Sequence, residues 1–349
     1  MTERENTLRA IRFERPDHVP MNFVINYACW NHYPQEALVE LMESHPVLFK
    51  PGSIPTLPYQ PDYPNVARKD QPYVDDWGCR WETTENGITG TVTGHPLSDW
   101  DNLKTFHYPD PDKCMGIGSI DWKAEEKRIK AQKDAGLLTM AGLRHGHTFL
   151  QVCDICGYEN VLFDMEDEEP KLKDLLEKIV EFNLSIIHRY LDMEVDIITY
   201  AEDLGMQYGP MLSPANFETY FSPLYQRMMQ PAVEKGTIIH MHSDGDIRTL
   251  LPYLLQNGVD IINLQDLANG IDWIEENVKG KVCIDLDIDR QKITPFGTPK
   301  EVRSLVREEI TRLGTREGGL MLTYGLYPGV PLENVKALMD ALEEYAFYI

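Results

Sequence analysis

Long apolar segments are missing from this sequence. No run approaches the ~20 uninterrupted apolar residues of a membrane-spanning helix. The amino terminus, MTERENTLRAIRFERPDHVP, carries charges where a signal peptide has an apolar stretch. We therefore expect a cytoplasmic protein that does not associate with membranes. Cysteine is also sparse, because six residues are spread over 349, which is unlike a disulfide scaffold and predicts free thiols.

Basic side chains are outnumbered by acidic ones. The chain has 33 Lys and Arg against 56 Asp and Glu, a formal net charge of -23. A surface of this sign repels the phosphates of nucleic acids and of anionic membranes, so neither is expected as a partner. Linkers and low-complexity tracts are absent, and 42% hydrophobic with 26% charged residues is typical of a globular protein. We predict a single domain over residues 1–349 and leave a homodimer open.

What the sequence does contain, from about residue 137 onward, is an alternation of short apolar runs and longer amphipathic stretches. This alternation predicts parallel strands joined by crossover helices. The strand-like runs, including an early one, cover residues 18–26, 136–142, 196–202, 236–242, 258–264, 281–287 and 318–324. We predict an α/β fold, a single (β/α)8 TIM barrel with an N-terminal helical extension and an early β-hairpin insertion within residues 77–97. Its eighth strand is the least clearly marked.

Start and stop signals bound three of the predicted helices. The first covers residues 169–193, where leucine and isoleucine recur near a 3.6-residue period. The second covers residues 213–236 and begins at a Ser-Pro pair. The third covers residues 298–314, with Thr298 as the N-cap and proline at the first helical position.

In a barrel, the residues at the carboxyl ends of the strands point into the active site, which selects the polar residues there. His240 and His242 are two apart on one predicted strand and share a face, and Asp244 follows as the chain turns. Imidazole nitrogen and carboxylate oxygen are normal zinc ligands, and a catalytic site needs three protein ligands. The alternative for either histidine is a hydrogen-bonded core residue that orients its neighbour.

Two groups of carboxylates end other predicted strands. Glu202 and Asp203 could supply a metal ligand or a general acid, because a carboxyl group in a dry cavity has a raised pKa. The alternative is a helix N-cap or a surface ion pair. Asp285, Asp287 and Asp289 alternate along a strand and cannot all be buried as charges without partners. We expect at least one of them to cap the next helix or to bind the arginine that follows.

Further candidates for substrate contact follow or end predicted strands: Tyr27, Trp30, His145, His147, Asn263 and Tyr324. A tight strand-to-helix turn is the alternative for the two histidines that flank Gly146, and core packing is the alternative for the first two aromatic residues. Cys153 and Cys156 in CDICG have the spacing of a metal or redox pair. A single CxxC is weak support for such a site, so the favoured interpretation is a helix turn that packs small side chains.

Three segments carry a family resemblance: TLRAIRFERPDHVPMNF (7–23), HMHSDGDIRTLLPYLLQNGVDIINLQD (240–266) and YPGVPLENVKALMDAL (327–342). Their order and spacing resemble those of the uroporphyrinogen decarboxylase superfamily, which includes cobalamin-dependent methyltransferases. The decarboxylase itself has an arginine-rich segment after its first strand that grips the carboxylates of its substrate. Here that position reads NYACWNHYP (26–34), without arginine. The chain therefore resembles the methyltransferase branch more closely.

The resemblance implies a metal site. The methyltransferase branch holds zinc with a His-x-Cys-Gly segment and a late cysteine. Aligned on its glycine, HSDG (242–245) places His242 on the histidine and Asp244 on the cysteine, while Tyr324 falls near the late cysteine. This implies an oxygen-rich zinc site of Glu202, His242 and Asp244. The implied catalytic residues are Glu202, Asp203, His240 and His242.

The resemblance also implies an activity. A methyl group would pass from a methoxylated aromatic substrate to the Co(I) corrinoid of a partner protein. The main task of the chain would be to stabilise the leaving oxygen by acid catalysis or with zinc. The alternatives are a uroporphyrinogen decarboxylase-like lyase that acts on a carboxylated small molecule, and a ligand-binding protein without catalysis.

Overall fold

The structure is a computed structural model and describes residues 1–50 and 52–347. The chain divides into two units, each built from separate segments of the sequence. Unit 1 comprises Met1–Gln71, Thr83–Gly90 and Gln265–Ile349, and unit 2 comprises Pro72–Glu82 and Thr91–Leu264. A single domain over residues 1–349 stays a prediction.

Most of the longer strands form in the short apolar runs of the sequence. In chain order the strands are β1 (Met21–Ile25), β2 (Tyr73–Val74), β3 (Arg80–Glu82), β4 (Thr91–Gly94), β5 (Met140–Gly142), β6 (Ile197–Ala201), β7 (Gly205–Met206), β8 (Gly209–Pro210), β9 (Ile238–Ser243), β10 (Ile261–Gln265), β11 (Cys283–Asp287) and β12 (Leu320–Leu326).

The helices form in the longer amphipathic stretches. They are α1 (Glu3–Arg12), α2 (Cys29–His32), α3 (Gln35–Ser44), α4 (Trp122–Asp134), α5 (Phe149–Cys156), α6 (Tyr158–Glu166), α7 (Pro170–Asp192), α8 (Pro214–Asn216), α9 (Ser222–Lys235), α10 (Leu251–Gln256), α11 (Asp266–Asn269), α12 (Ile271–Asn277), α13 (Ile293–Phe296), α14 (Pro299–Leu313) and α15 (Leu332–Tyr345). No helix in the described part of the chain combines the length and the apolar character needed to cross a membrane.

In unit 1, strands β1, β12 and β11 pair in parallel, with β12 between the other two. β11 is buried along its whole length, whereas β12 buries alternate residues. Burial on both faces is typical of a parallel strand that is covered on both sides. The carboxylates within β11 therefore need partners.

The aspartates in and after β11 have the partners that the sequence predicts. The Arg290 guanidinium donates to Asp287, with 2.6 Å between Nη2 and Oδ2. The Asp289 carboxylate accepts from the backbone N–H groups of Lys292 and Ile293, so it caps the segment that leads into α13. Both expected roles, an arginine partner and a helix cap, are confirmed.

In unit 2, strands β5, β6, β9 and β10 pair in parallel in that order. The register places Ala201 beside His242 and His242 beside Asn263, and paired residues of neighbouring strands face the same side of a sheet. Burial alternates along β9, where His240 and His242 are half-buried and the other residues fully buried. The predicted common face of the two histidines is confirmed.

The early insertion is antiparallel. In unit 2, β3 pairs with both β2 and β4, and Trp81 lies opposite Val92. This pairing confirms the β-hairpin predicted within residues 77–97. Residues 83–90 form its connection.

Two of the three predicted helices form nearly as expected. α7 matches the first, and α14 begins with a capping box in which Thr298 and Glu301 each accept a backbone N–H of the other. The predicted helix over 213–236 is interrupted, because a π-helical segment, Phe217–Phe221, separates α8 from α9. Pro223 explains the interruption, since it has no N–H to continue the hydrogen-bond ladder of an α-helix.

The alternation of parallel strands and helices in both units confirms the predicted α/β barrel class. Beyond the parallel strands named above, residues 1–50 and 52–347 contain no further parallel strand, so an eighth one is missing there. All six cysteines are buried as thiols, as expected. Cys153 and Cys156 lie on α5, and burial raises the pKa of both thiols, which confirms the interpretation as packing residues.

Unit 1 also buries a cluster of acids. Glu309 of α14 is completely buried and faces the carboxyl groups of Asp266 and Asp289. Burial and the neighbouring carboxylates raise the pKa of Glu309 well above its usual value, and burial raises the pKa of Asp266 to about 6. The folded protein therefore holds a proton in this cluster at a pH where the unfolded chain has released it.

The cluster predicts a pH-dependent stability. Because the folded pKa lies above the unfolded value, the free energy of unfolding falls as pH rises from about 4 through the folded pKa. Glu309→Gln removes the ionisable group, keeps its shape and is expected to stabilise the protein at pH 8 by on the order of 1 kcal/mol. Urea unfolding at pH 5 and pH 8 measures this difference. A variant that is less stable than the parent at pH 8 would contradict the assignment.

Candidate active site

The candidate site in unit 2 is a cluster of two imidazoles and one carboxylate, which we call the His145–Asp203–His242 cluster. The Nε2 atoms of His145 and His242 lie 3.2 and 3.3 Å from Oδ1 of Asp203. The backbone N–H of Asp244 donates to the same oxygen at 3.1 Å. His145 follows β5, Asp203 follows β6 and His242 lies near the end of β9, so the cluster forms at the carboxyl ends of three neighbouring parallel strands.

Strand periodicity explains why Asp203 and not Glu202 enters the cluster. Successive side chains of an extended segment point to opposite sides. Glu202 lies on the same side of the segment as Ile198 and Tyr200, and both of these side chains are fully buried. Asp203 lies on the opposite side, together with Thr199 and Ala201. These two residues pair with His240 and His242 of the neighbouring strand.

Glu202 therefore lies away from the cluster. It is 0% exposed, and its Oε1 accepts from the backbone N–H groups of Thr148 and Leu150 at 2.9 and 2.8 Å. Its Oε2 accepts from the Tyr225 hydroxyl. Burial raises the pKa of Glu202 to about 7, although these hydrogen bonds oppose the rise. The structure does not bring the Glu202 carboxylate together with His242 and Asp244, which corrects the ligand set that the resemblance implies. The side chains of His145 and Asp203 lie beside His242 instead, and a metal there stays a prediction.

The electrostatics of the cluster are those of an ion pair. Burial alone would raise the pKa of Asp203, but hydrogen bonds from His145 and His242 outweigh it and hold that pKa well below its usual range. Burial alone would lower the pKa of His242, but Asp203 and Asp244 overcome it and raise that pKa to about 9. Without a metal, His242 is therefore a cation at neutral pH.

Asn263 contacts a residue of the cluster. Its Oδ1 is hydrogen-bonded to Nδ1 of His242, and its predicted contact with substrate stays a prediction. An acceptor at Nδ1 fixes the proton there and leaves Nε2 directed towards Asp203. Asp244 stays close, with Oδ1 3.8 Å from Nε2 of His242. His240 shares the strand face of His242, and a catalytic role for it stays a prediction.

His147 is the clearest correction among the substrate-contact candidates. It is 1% exposed, its Nδ1 lies 2.6 Å from the Thr148 hydroxyl, and its ring contacts Tyr200 and Tyr225. Burial lowers the pKa of His147 to about 3, so the ring is neutral. A side chain enclosed in this way does not reach a ligand, whereas His145 is about half-exposed.

The three aromatic candidates belong to unit 1. Tyr324 is 1% exposed and donates to the Thr294 hydroxyl at 3.2 Å. Trp30 is buried with its ring edge against Tyr59. Trp30 thus follows its core alternative, and Tyr324 is enclosed as well, so neither side chain is placed to bind substrate. Tyr27 is 42% exposed and remains accessible to a ligand.

Two glycines set the spacing of the acidic residues. Gly205 and Gly245 cross so closely that a Cβ on Gly245 would lie 2.3 Å from the carbonyl carbon of Gly205. The crossing is held by hydrogen bonds from the N–H of Gly205 to the carbonyl of Asp244 and from the N–H of Asp246 to that of Met206. Backbones approach this closely only without side chains. The contact fixes Asp203 and Asp244 relative to each other.

The cluster fits a divalent metal. Among the described residues, His145, Asp203 and His242 form a group whose ligand atoms all lie within 4.8 Å of one another. Zinc bonds of about 2.0 to 2.2 Å at tetrahedral angles place ligand atoms about 3.3 to 3.6 Å apart. The two nitrogen-to-oxygen distances, 3.2 and 3.3 Å, are close to that spacing. The sequence named these three residues, but it assigned only His242 to the metal.

Comparison with known proteins gives the family. The chain matches the family described as Uroporphyrinogen decarboxylase (URO-D) over residues 77–345. A uroporphyrinogen decarboxylase of Prochlorococcus marinus (strain MIT 9211) is 27% identical over 263 residues, which are 72% of this chain and 70% of that protein. A second one, from strain NATL1A, is 25% identical over 186 residues, 52% of this chain and 50% of that protein. This second alignment, like those with other curated relatives, thus spans about half of the relative's length.

A solved structure matches the whole fold. The methyltransferase from Methanosarcina mazei is 18% identical, has a TM-score of 0.67 and covers 100% of both chains. The parallel strands, the crossover helices and the polar cluster at the strand ends define an α/β barrel enzyme. The chain belongs to the uroporphyrinogen decarboxylase family.

Proposed function

We propose that this chain moves a methyl group from a methoxylated aromatic compound to the Co(I) corrinoid of a partner protein. The observation that carries the proposal is the convergence of two imidazole Nε2 atoms on the Asp203 carboxylate, without a thiolate in the group. Nitrogen and oxygen ligands suit activation of an ether oxygen better than binding of a thiol. The fold shared with a methyltransferase over the full chain supports the same proposal.

The proposed reaction breaks the methyl C–O bond and forms a Co–C bond. The electron pair of Co(I) forms the new bond, so that cobalt becomes Co(III), and the phenolate oxygen keeps the pair of the broken bond. The phenolate then takes up one proton. Because a phenolate leaves poorly, the task of the protein is to stabilise this oxygen as charge develops on it.

The residues of unit 2 can meet this task. His242 carries a proton at Nε2 at neutral pH, because Asp203 and Asp244 raise its pKa to about 9. Oδ1 of Asn263 is hydrogen-bonded to Nδ1 of the same imidazole, so the proton on Nε2 faces the cluster. Glu202 holds the first turn of α5 through two backbone N–H groups. Zinc would replace the Nε2 proton of His242: when zinc is bound, His145, Asp203 and His242 would hold it through deprotonated ligand atoms, and the metal would supply Lewis acidity towards the ether oxygen.

The alternative, decarboxylation of a carboxylated small molecule, has support from the names of the curated relatives. One experiment separates the two activities. The purified chain is incubated with a super-reduced corrinoid protein and a series of methoxyarenes, and separately with carboxylated substrates. We expect the absorbance of methylcobalamin and an equimolar amount of phenol. Release of carbon dioxide without methyl transfer would favour the lyase, and no turnover with either class would leave ligand binding as the function.

A further inference from the structure

A buried arginine lies directly before His145. Arg144 has a side chain that is 5% exposed, and its guanidinium donates in three directions. Nε donates to the carbonyl of His145 at 3.0 Å, Nη1 to Oε1 of Gln151 at 2.6 Å and Nη2 to Oδ2 of Asp154 at 3.1 Å. One side chain therefore connects the backbone at a candidate metal ligand to two residues of α5.

The surroundings of Arg144 hold it rigidly. Nη1 lies 3.8 Å from Oδ2 of Asp75. The Cζ atom of the guanidinium lies over the Trp81 ring, 5.6 Å from the ring centroid. Burial raises the pKa of Asp75 and raises that of Asp154 to about 6, while Arg144 opposes both shifts. A planar guanidinium can satisfy several acceptors in fixed directions, which an ammonium group cannot do.

Backbone hydrogen bonds anchor the loop between β5 and α5 on either side of His145. The N–H of Leu143 donates to the carbonyl of Thr199, and the N–H of Gly146 donates to that of Ala201. Gly146 has a φ of +72°, in the left-handed region. Between these two points the carbonyl of His145 accepts from the Arg144 side chain of its own loop. The imidazole of His145, about half-exposed, is not enclosed by packing.

We propose that Arg144 is a positioning residue for metal binding: its guanidinium fixes the backbone of His145 and so places the Nε2 of that histidine beside Asp203. The inference rests on the proposed metal site of the His145–Asp203–His242 cluster. Arg144 touches neither substrate nor metal in this role. Partners that orient a metal ligand typically change metal affinity by about 10- to 100-fold when removed.

The test measures Co2+ binding, as a spectroscopic substitute for zinc, by visible absorption and calorimetry. We expect Arg144→Gln to weaken Co2+ binding about 10- to 100-fold and to reduce the absorption of the bound ion to that seen with His145→Ala. The double variant Arg144→Gln/His145→Ala is expected to bind no more weakly than His145→Ala alone, because both changes act on one ligand. The matched control is Arg128→Gln, a half-exposed arginine of α4 paired with Glu125, which is expected to bind like the parent.

Arg144→Lys separates positioning from general stability. Lysine retains a positive charge beside Asp154 but cannot also donate to the carbonyl of His145 and to Gln151. We expect its melting temperature to lie closer to that of the parent than that of Arg144→Gln, while Co2+ affinity stays low. Parental affinity in a folded Arg144→Gln protein, or additive losses in the double variant, would overturn the proposal. This variant also replaces Arg144→Gln if the latter does not fold.

Failure of the metal site itself gives a different result. If the parent binds no Co2+, the proposed metal is wrong, and the position of His145 is read in the metal-free protein from the 15N shifts of its imidazole. We expect these shifts to move towards those of a free imidazole in the Arg144 variants, because the contact with Asp203 is lost. Shifts that match those of the parent would reject the role of Arg144 whether or not a metal binds.

Discussion

Asp203→Asn is expected to lower the proposed methyl transfer by at least about 100-fold and to remove tight Co2+ binding. The substitution keeps the size of the side chain but removes the charge that both imidazoles face at 3.2 and 3.3 Å. In the metal-free protein the pKa of His242, about 9 in the parent, should fall towards its usual value, because its main counter-charge is gone. NMR titration of the histidines and Co2+ calorimetry measure the two effects.

The sign of the accompanying stability change follows from the same pKa. A histidine whose folded pKa is raised stabilises the fold fully below its unfolded pKa of about 6.5 and loses this contribution as pH rises through about 9. Asp203→Asn should flatten the stability profile in that window. A profile as steep as that of the parent between pH 6.5 and 9 would show that Asp203 is not the counter-charge.

Two further variants are measured beside Asp203→Asn, one as a control and one to distinguish two possible sets of metal ligands. Asp62→Asn removes a carboxylate that is 98% exposed and is expected to change neither Co2+ binding nor turnover. Glu202→Gln distinguishes the two ligand sets, because its amide can still accept from the N–H groups of Thr148 and Leu150. The set suggested by the sequence predicts that Glu202→Gln loses the metal, whereas the structural cluster predicts that it retains it.

Gly245→Ala is expected to destabilise unit 2 strongly. Its Cβ would lie 2.3 Å from the carbonyl carbon of Gly205, and its φ of +77° is unfavourable for alanine. Backbone atoms cannot move away as a flexible side chain can, so the strands must shift and carry Asp203 and Asp244 apart. We expect a loss of roughly 3 kcal/mol or more in the free energy of unfolding, together with loss of Co2+ binding. Chemical denaturation and calorimetry measure these changes.

Gly236→Ala is the matched control. It also has a positive φ, +66°, as the C-cap residue of α9, but a Cβ there meets nothing within 4 Å. It should therefore cost only the conformational strain of about 1 kcal/mol and leave Co2+ binding intact. Equal losses in the two variants would show that the close crossing of Gly205 and Gly245 does not matter.

Local sequence patterns were sufficient to predict elements whose contacts lie within a few residues. α14 begins at Thr298 with its capping box, and the hairpin within 77–97 forms with Trp81 paired. These features depend on residues a few positions apart. The helix over 213–236 was only partly right, since a proline within it changes the hydrogen-bond pattern.

The division of roles between Glu202 and Asp203 could have been read from the sequence. The two are consecutive after β6, so only one of them can share the face of His242. Every second residue shares one side of the strand, so Asp203 lies on the side of Thr199 and Ala201. Glu202 lies on the side of Ile198 and Tyr200. Ile198 and Tyr200 are apolar or aromatic, which indicates that their side of the strand packs into the core. The sequence alone therefore predicts that Glu202 is buried there.

By itself, the sequence determined the α/β class, the strand and helix segments and the short set of polar residues at strand ends, because these follow from hydrophobic periodicity and turn chemistry. It did not determine which of those residues meet. The contacts of His145 and His242 with Asp203, and the enclosure of His147, arise from loops of different strands brought together in space. Only the tertiary structure decided them, because their distances depend on strand register, on the Gly205–Gly245 crossing and on the anchoring of the Arg144 side chain.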